Sequence, residues 1–159
     1  MFKSRIKNLC LLFFVCTILV LCSFSCLNSY AISESDKKLH KESLLVKSPE
    51  RWKDAIQKFK DSDANNPPPL NAVLFVGSSS IVGWDTEKWF SEMKTINRGF
   101  GGSYIVDSVY YADSIILPYK PKTIVFYAGD NDIADNKTLQ MLLADFKVLV
   151  SVIRSSLPE

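Results

Sequence analysis

Two short runs, Ala72-Val73-Leu74-Phe75-Val76 and Thr123-Ile124-Val125-Phe126-Tyr127, are apolar almost throughout, and each runs into a glycine, Gly77 and Gly129. A strand with one wet face alternates apolar and polar residues. Continuous hydrophobicity instead marks a strand covered on both faces, as in a parallel sheet. A weaker strand is expected over Lys94–Asn97, before a second glycine loop, Gly101-Gly102-Ser103. Helical patterns alternate with these runs. Ile105, Val109, Ala112 and Ile116 share one face, with Ser103 as candidate N-cap, and Leu139, Leu142, Leu143, Phe146, Leu149, Val150 and Ile153 make the strongest amphipathic pattern. Strand, loop and helix recurring three times predict an α/β layered fold with a parallel sheet.

Upstream, Ser48-Pro49 supplies an N-cap hydroxyl and a proline at the first helical position. Trp52, Ile56 and Phe59 then share a face, and Asn65-Asn66-Pro67-Pro68-Pro69 ends the helix. Residues 32–47 are polar and charged without period, which predicts a flexible leader. The one histidine, His40, lies there beside Lys41 and reads as an exposed linker residue.

The first 31 residues have the layout of a secretory signal. Lys3, Arg5 and Lys7 precede an apolar run from Leu9 to Leu27, and Ser29-Tyr30-Ala31 offers a cleavage pattern. An uncleaved anchor, or a lipid anchor at Cys26 behind the poor lipobox Ser23-Phe24-Ser25, is the alternative. The expectation is export, to a secreted or cell-envelope location, with membrane contact only through this segment. All four cysteines (Cys10, Cys16, Cys22, Cys26) fall inside it, so the rest of the chain has no disulfide, thiolate nucleophile or cysteine metal site. Of 19 basic and 17 acidic residues, three basic and no acidic ones lie in this segment, leaving a net charge of −1. A near-neutral remainder without basic clusters argues against nucleic acid as a partner.

Three loops follow the strands at the ends where open parallel sheets bind ligands. Ser79 lies two residues beyond Gly77, on the turn into a helix; Ser78, Ser79 and Ser80 could equally cap helix amides. Ile81 occupies the last position of G-x-S-x-G, so the usual nucleophile elbow is not met. No Gly-Lys-Ser/Thr makes a P-loop, and Tyr104 stands where a dinucleotide fingerprint needs its third glycine. Gly101-Gly102 allows close backbone approach. Asn131, two residues after Gly129, can aim its amide at a developing oxyanion or form an Asx-turn.

Gly77-Ser78-Ser79-Ser80-Ile81, Asn97-Arg98-Gly99-Phe100-Gly101-Gly102-Ser103 and Gly129-Asp130-Asn131-Asp132 resemble blocks I, II and III of the SGNH hydrolases, the GDSL-like lipases and acylhydrolases. The resemblance runs from about Trp52 onward. Ser78 stands where the family usually has aspartate. Ungapped alignment from Gly77 to Trp84 puts the family nucleophile on Ser79, and Gly102 and Asn131 match the oxyanion-hole glycine and asparagine, with the Ser79 N–H as third donor. The resemblance implies a three-layer α/β/α fold with a parallel flavodoxin-like sheet and no cofactor or metal. It implies ester hydrolysis through an acyl-enzyme, on a small-molecule ester, a lipid or an acetylated glycan. The family's Asp-x-x-His block is not in this sequence, and three strands are legible where the family has five. The expectation is a C-terminally truncated domain over residues 48–159, weakly active or inactive as it stands. Two other readings remain open: a non-catalytic acyl- or glycan-binding module, and a flavodoxin-like phosphate or nucleotide binder.

Overall fold

The structure, a computed structural model, describes residues 32–157. The expected signal segment and its cysteines lie outside the described residues. β1 (Val73–Gly77) is the centre of a three-stranded sheet, flanked by β2 (Thr95–Gly99) and β3 (Thr123–Tyr127) in the order β2-β1-β3. Both pairings are parallel, with Val73 opposite Thr95 on one side and Thr123 on the other. Every β1 residue is buried, as its unbroken hydrophobicity requires.

Side chains alternate across the sheet, and each face has its own core. Leu74 and Val76 pack with Ile56, Ile96, Phe100, Ile115, Ile116 and Leu149. These come from α2 (Lys53–Asn65), α6 (Ala112–Ile115), α8 (Leu139–Ser156) and adjoining segments. Val73 and Phe75 pack on the opposite face with Ile81 and Phe90, from α3 (Ser79–Val82) and the end of α4 (Thr86–Trp89). Helices therefore cover both faces, giving three layers.

Two elements differ from expectation. Residues 34–46, expected as a flexible leader, form helix α1 (Glu34–Val46). It begins with a capping box: the Asp36 N–H donates to Ser33 Oγ at 3.1 Å, and the Ser33 N–H donates to the Asp36 carboxylate at 3.2 Å. Its grip on α8 is polar, with Lys147 Nζ 3.0 Å from Asp36, so apolar periodicity had nothing to register. The helix after the second loop has its N-cap at Tyr104, one residue after Ser103, and breaks in two, α5 (Ile105–Tyr110) and α6, separated at Tyr111. Asp107 caps it by accepting the Tyr104 N–H at 2.7 Å, while the Ser103 hydroxyl finds no partner. Among the described residues no helix is long and apolar enough to cross a membrane.

Candidate active site

β1 ends at Gly77, where φ is +147° and a Cβ would stand 1.9 Å from the Tyr127 carbonyl oxygen. Only glycine fits this approach of β1 to β3. The chain then turns: the Ser78 N–H donates to that carbonyl at 3.0 Å, and the Phe100 N–H donates to Gly77 O at 2.9 Å. Ser78 is buried, and its hydroxyl caps no helix amide; it points to Asp130 Oδ1, a long 3.5 Å contact. Ser79 is the first residue of α3 and is exposed. Helix geometry leaves its N–H without an intrahelical acceptor.

The second loop lies against this serine. A Cβ on Gly101 would sit 3.8 Å from Ser79 Cβ. Gly102 adopts φ +81°, and a Cβ there would stand 3.5 Å from the Trp52 ring. Trp52 is in turn fixed edge-on to Phe100, with ring centroids 5.7 Å apart, and donates its Nε1–H to Asp107 at 3.0 Å. The third loop reaches the same stretch. Asn131 Nδ2, in α7 (Asp130–Ala134), donates to Ser103 O at 3.1 Å, leaving its second N–H uncommitted. The segment Gly101–Ser103 thus lies beside Ser79 at one end and is bonded by Asn131 at the other.

Behind these loops lies a buried chain of charges. Lys137 Nζ is fully buried, 2.7 Å from Asp132 Oδ1 and 3.2 Å from Asp145 Oδ2. It also lies 4.6 Å from the centre of the Tyr104 ring. Asp132 accepts the Ile105 N–H at 3.2 Å. This joins the helix that bears Asn131 to the helix that follows Gly102. Burial pushes the Asp132 carboxyl above its ordinary range, opposed chiefly by the Lys137 hydrogen bond. At the far end His40 Nδ1 lies 2.7 Å from Asp145 Oδ1. His40 was expected as an exposed linker residue; it is instead largely buried on α1, and its partner is Asp145. Sequence reasoning missed Trp52, Lys137 and Asp145 as parts of this arrangement. The spacing of a lone lysine and an aspartate within an apolar helix pattern gives no hint that they meet.

Asp107 is wholly buried, with Arg51 Nη2 at 2.5 Å and one carboxylate oxygen unpartnered. Burial raises its pKa, with the Tyr104 N–H and Arg51 working against the rise. A carboxyl with a raised folded pKa holds its proton more tightly when folded. Stability therefore falls as pH rises from the ordinary value of 3.8 through the raised one, and is level above it. Asp107→Asn removes that titration. The stability of the unsubstituted protein, measured relative to Asp107→Asn by urea unfolding across pH, is expected to decline through this window. A difference that grows with pH would show that Arg51 and the N–H donors outweigh burial.

Among the described residues no three His, Cys, Asp or Glu side chains gather as a metal ion would require. No family model matches the chain, and no curated protein matches it in sequence. Solved structures do share its fold. A protein of Bacteroides fragilis, provisionally described as an acylhydrolase, is 22% identical, with TM-score 0.56 over 64% of this chain and 52% of its own. A protein of Streptococcus pneumoniae, provisionally described as a platelet activating factor, is 17% identical, with TM-score 0.59 over 79% of this chain and 57% of its own. The chain spans little more than half the length of each. At these identities the likeness establishes the architecture: a parallel, flavodoxin-like sheet between helices, shared with acylhydrolase-like structures.

Proposed function

We propose that the chain carries the acyl-transfer site of an exported SGNH-type serine esterase, acting on carboxylic esters of small molecules, with lipids and acetylated glycans as the candidate substrate classes. The observation that supports the reading is the packing of the three strand-end loops in series: a Cβ on Gly101 would lie 3.8 Å from Cβ of the exposed Ser79, and Asn131 bonds to Ser103 O beside Gly102. In this reading Ser79 Oγ attacks the ester carbonyl carbon. The carbonyl oxygen takes up negative charge, facing the N–H groups of Ser79 and Gly102 and the free N–H of Asn131. Collapse expels the alcohol and leaves an acyl-serine, which water hydrolyses. Each donor is worth roughly 3–4 kcal/mol to the transition state, by comparison with a protease oxyanion hole.

The serine proton needs an acceptor. The one histidine of the sequence is engaged with Asp145, and Asp130, on the third loop, lies 3.5 Å from the Ser78 hydroxyl. In the subtilisin template, loss of the histidine costs about 10⁶-fold and leaves about 10³–10⁴ over water. Removing the serine as well costs little more, because the two act as a unit. Turnover alone therefore cannot identify the nucleophile. The test is covalent: a fluorophosphonate presented with imidazole as an external base is expected to label the chain once, at Ser79.

A further inference from the structure

Asn131 sits on a helix too short to hold itself in place. α7 is little more than one turn, five residues long, and a single turn fixes more backbone freedom than its hydrogen bonds return. Its rotation is set by the neighbouring residue, Asp132, whose side chain leaves the helix about 100° round from that of Asn131. Asp132 is fully buried; it accepts the Ile105 N–H at 3.2 Å and the Lys137 ammonium at 2.7 Å. Lys137 also donates to Asp145 of α8, at 3.2 Å. Asp145 is held from α1. His40 Nδ1 lies 2.7 Å from Asp145 Oδ1, and the Ser43 hydroxyl donates to Oδ2. His40 and Ser43 are three positions apart and share one face of α1, so they clasp both oxygens of the carboxylate. A carboxylate that already binds an ammonium accepts, so His40 is the donor, from Nδ1. This contact spans 105 positions of sequence and ties the three strand-end loops to a segment that belongs to none of them.

We propose, building on the acyl-transfer reading of Ser79 and Asn131, that His40 is a positioning residue for the oxyanion hole: through Asp145, Lys137 and Asp132 it sets the rotation of α7 and so the aim of the Asn131 amide. Without the His40 donor, Oδ1 of Asp145 loses its partner. Lys137, shared between two carboxylates, then moves toward Asp145 and slackens its hold on Asp132. α7 turns, and the Asn131 N–H leaves the line to the developing oxyanion. The fold survives, because Ser43 and Lys137 still bind Asp145. Misplacing a catalytic donor by about 1 Å costs up to about 10²-fold in rate, and a coupling carried through a chain of side chains is smaller, about tenfold. α1 has a second attachment to α8 that bypasses Lys137: Lys147 Nζ lies 3.0 Å from Asp36. That pair separates a loosened helix from a broken relay.

The test is the rate at which a fluorophosphonate in imidazole buffer labels Ser79 of the full chain, followed against reagent concentration. His40→Ala is expected to lower the maximal rate about tenfold and to leave the half-saturating concentration unchanged. His40→Asn, whose Nδ2 falls near the place of Nδ1, should restore most of the rate. In an Asn131→Ala background, His40→Ala should change the rate by less than about twofold, since both substitutions remove the same donor. Lys147→Ala should leave the rate unchanged. Urea unfolding checks that each variant is folded; if His40→Ala is not, Ser43→Ala removes the other half of the clasp and reads the same coupling. Equal losses from His40→Ala with and without Asn131, equal losses from His40→Ala and Lys147→Ala, or no rescue by His40→Asn would mean that α1 supports the fold in general, and each overturns the proposal. An unchanged rate in His40→Ala overturns it while the acyl-transfer reading stands. No labelling of Ser79 in the unsubstituted protein overturns that reading, and the role of His40 with it.

Discussion

Replacing Lys137 by methionine is expected to cost about 3–5 kcal/mol of folding stability, the usual penalty for removing one partner of a buried ion pair. Domains of this size hold only about 5–15 kcal/mol in total, so the variant should be at or near the edge of unfolding. Lys137, Asp132 and Asp145 are all fully buried, and among the described residues the ammonium is the one lysine or arginine group within hydrogen-bond reach of both carboxylates. Without it, two buried carboxylates face each other across the space it filled. Methionine replaces the stem and supplies no proton. Urea unfolding reads the effect as a fall in midpoint at unchanged slope. Adding Asp132→Asn and Asp145→Asn to Lys137→Met should recover part of the loss, because the charges then leave together. A loss below about 1 kcal/mol, the value of an exposed pair, would mean that water reaches the cluster.

Asn131→Ala is expected to lower the rate of acyl transfer to Ser79 by about 10²–10³-fold, the cost of deleting one oxyanion-hole donor. The substitution also removes the bond to Ser103 O, a neutral hydrogen bond worth about 1 kcal/mol. Stability and rate separate the two roles. If Asn131 only ties two loops together, the variant loses a little stability and the rate follows in proportion. If it faces the oxyanion, the fold is nearly intact while kcat for a p-nitrophenyl ester in imidazole buffer collapses. KM should change little, since the donor strengthens only as charge develops on the oxygen. A rise in KM at constant kcat would assign Asn131 to substrate binding instead.

The parts of this molecule that its sequence displays are those held by apolar burial. β1 and β3 stand out because both their faces are covered, and the glycines that end them mark where the backbone must turn. β2 is fainter because Thr95, Asn97 and Arg98 interrupt it. Its polar side chains are spent locally, Asn97 on the carbonyls of Ile81 and Trp84, and Arg98 on Asp63 and Tyr119. Helix α1 was illegible to hydrophobic pattern, since Asp36, His40 and Ser43 rather than apolar residues fasten it to α8. The Ser33-x-x-Asp36 capping signature was its one available sign. In α8 the reverse holds. The strongest amphipathic pattern in the chain predicts a buried face, yet Leu139, Leu143 and Phe146 stay largely exposed, because a pattern states what needs covering and not what covers it. The site loops were legible as glycine-bounded turns. Their support by Trp52, Asp107 and Lys137 was not, since long-range polar pairings leave no periodicity behind.

The central claim is that Ser79 is the nucleophile of an acyl-transfer site. Its most direct measurement is peptide mapping by mass spectrometry after reaction with a fluorophosphonate in mildly alkaline imidazole buffer. The account predicts a single phosphonyl group on Ser79, formed as its oxygen displaces fluoride, absent from Ser79→Ala and formed far more slowly in Asn131→Ala. Labelling of Ser78 or Ser80, scattered labelling across surface tyrosines and lysines, or no adduct at any imidazole concentration would contradict it.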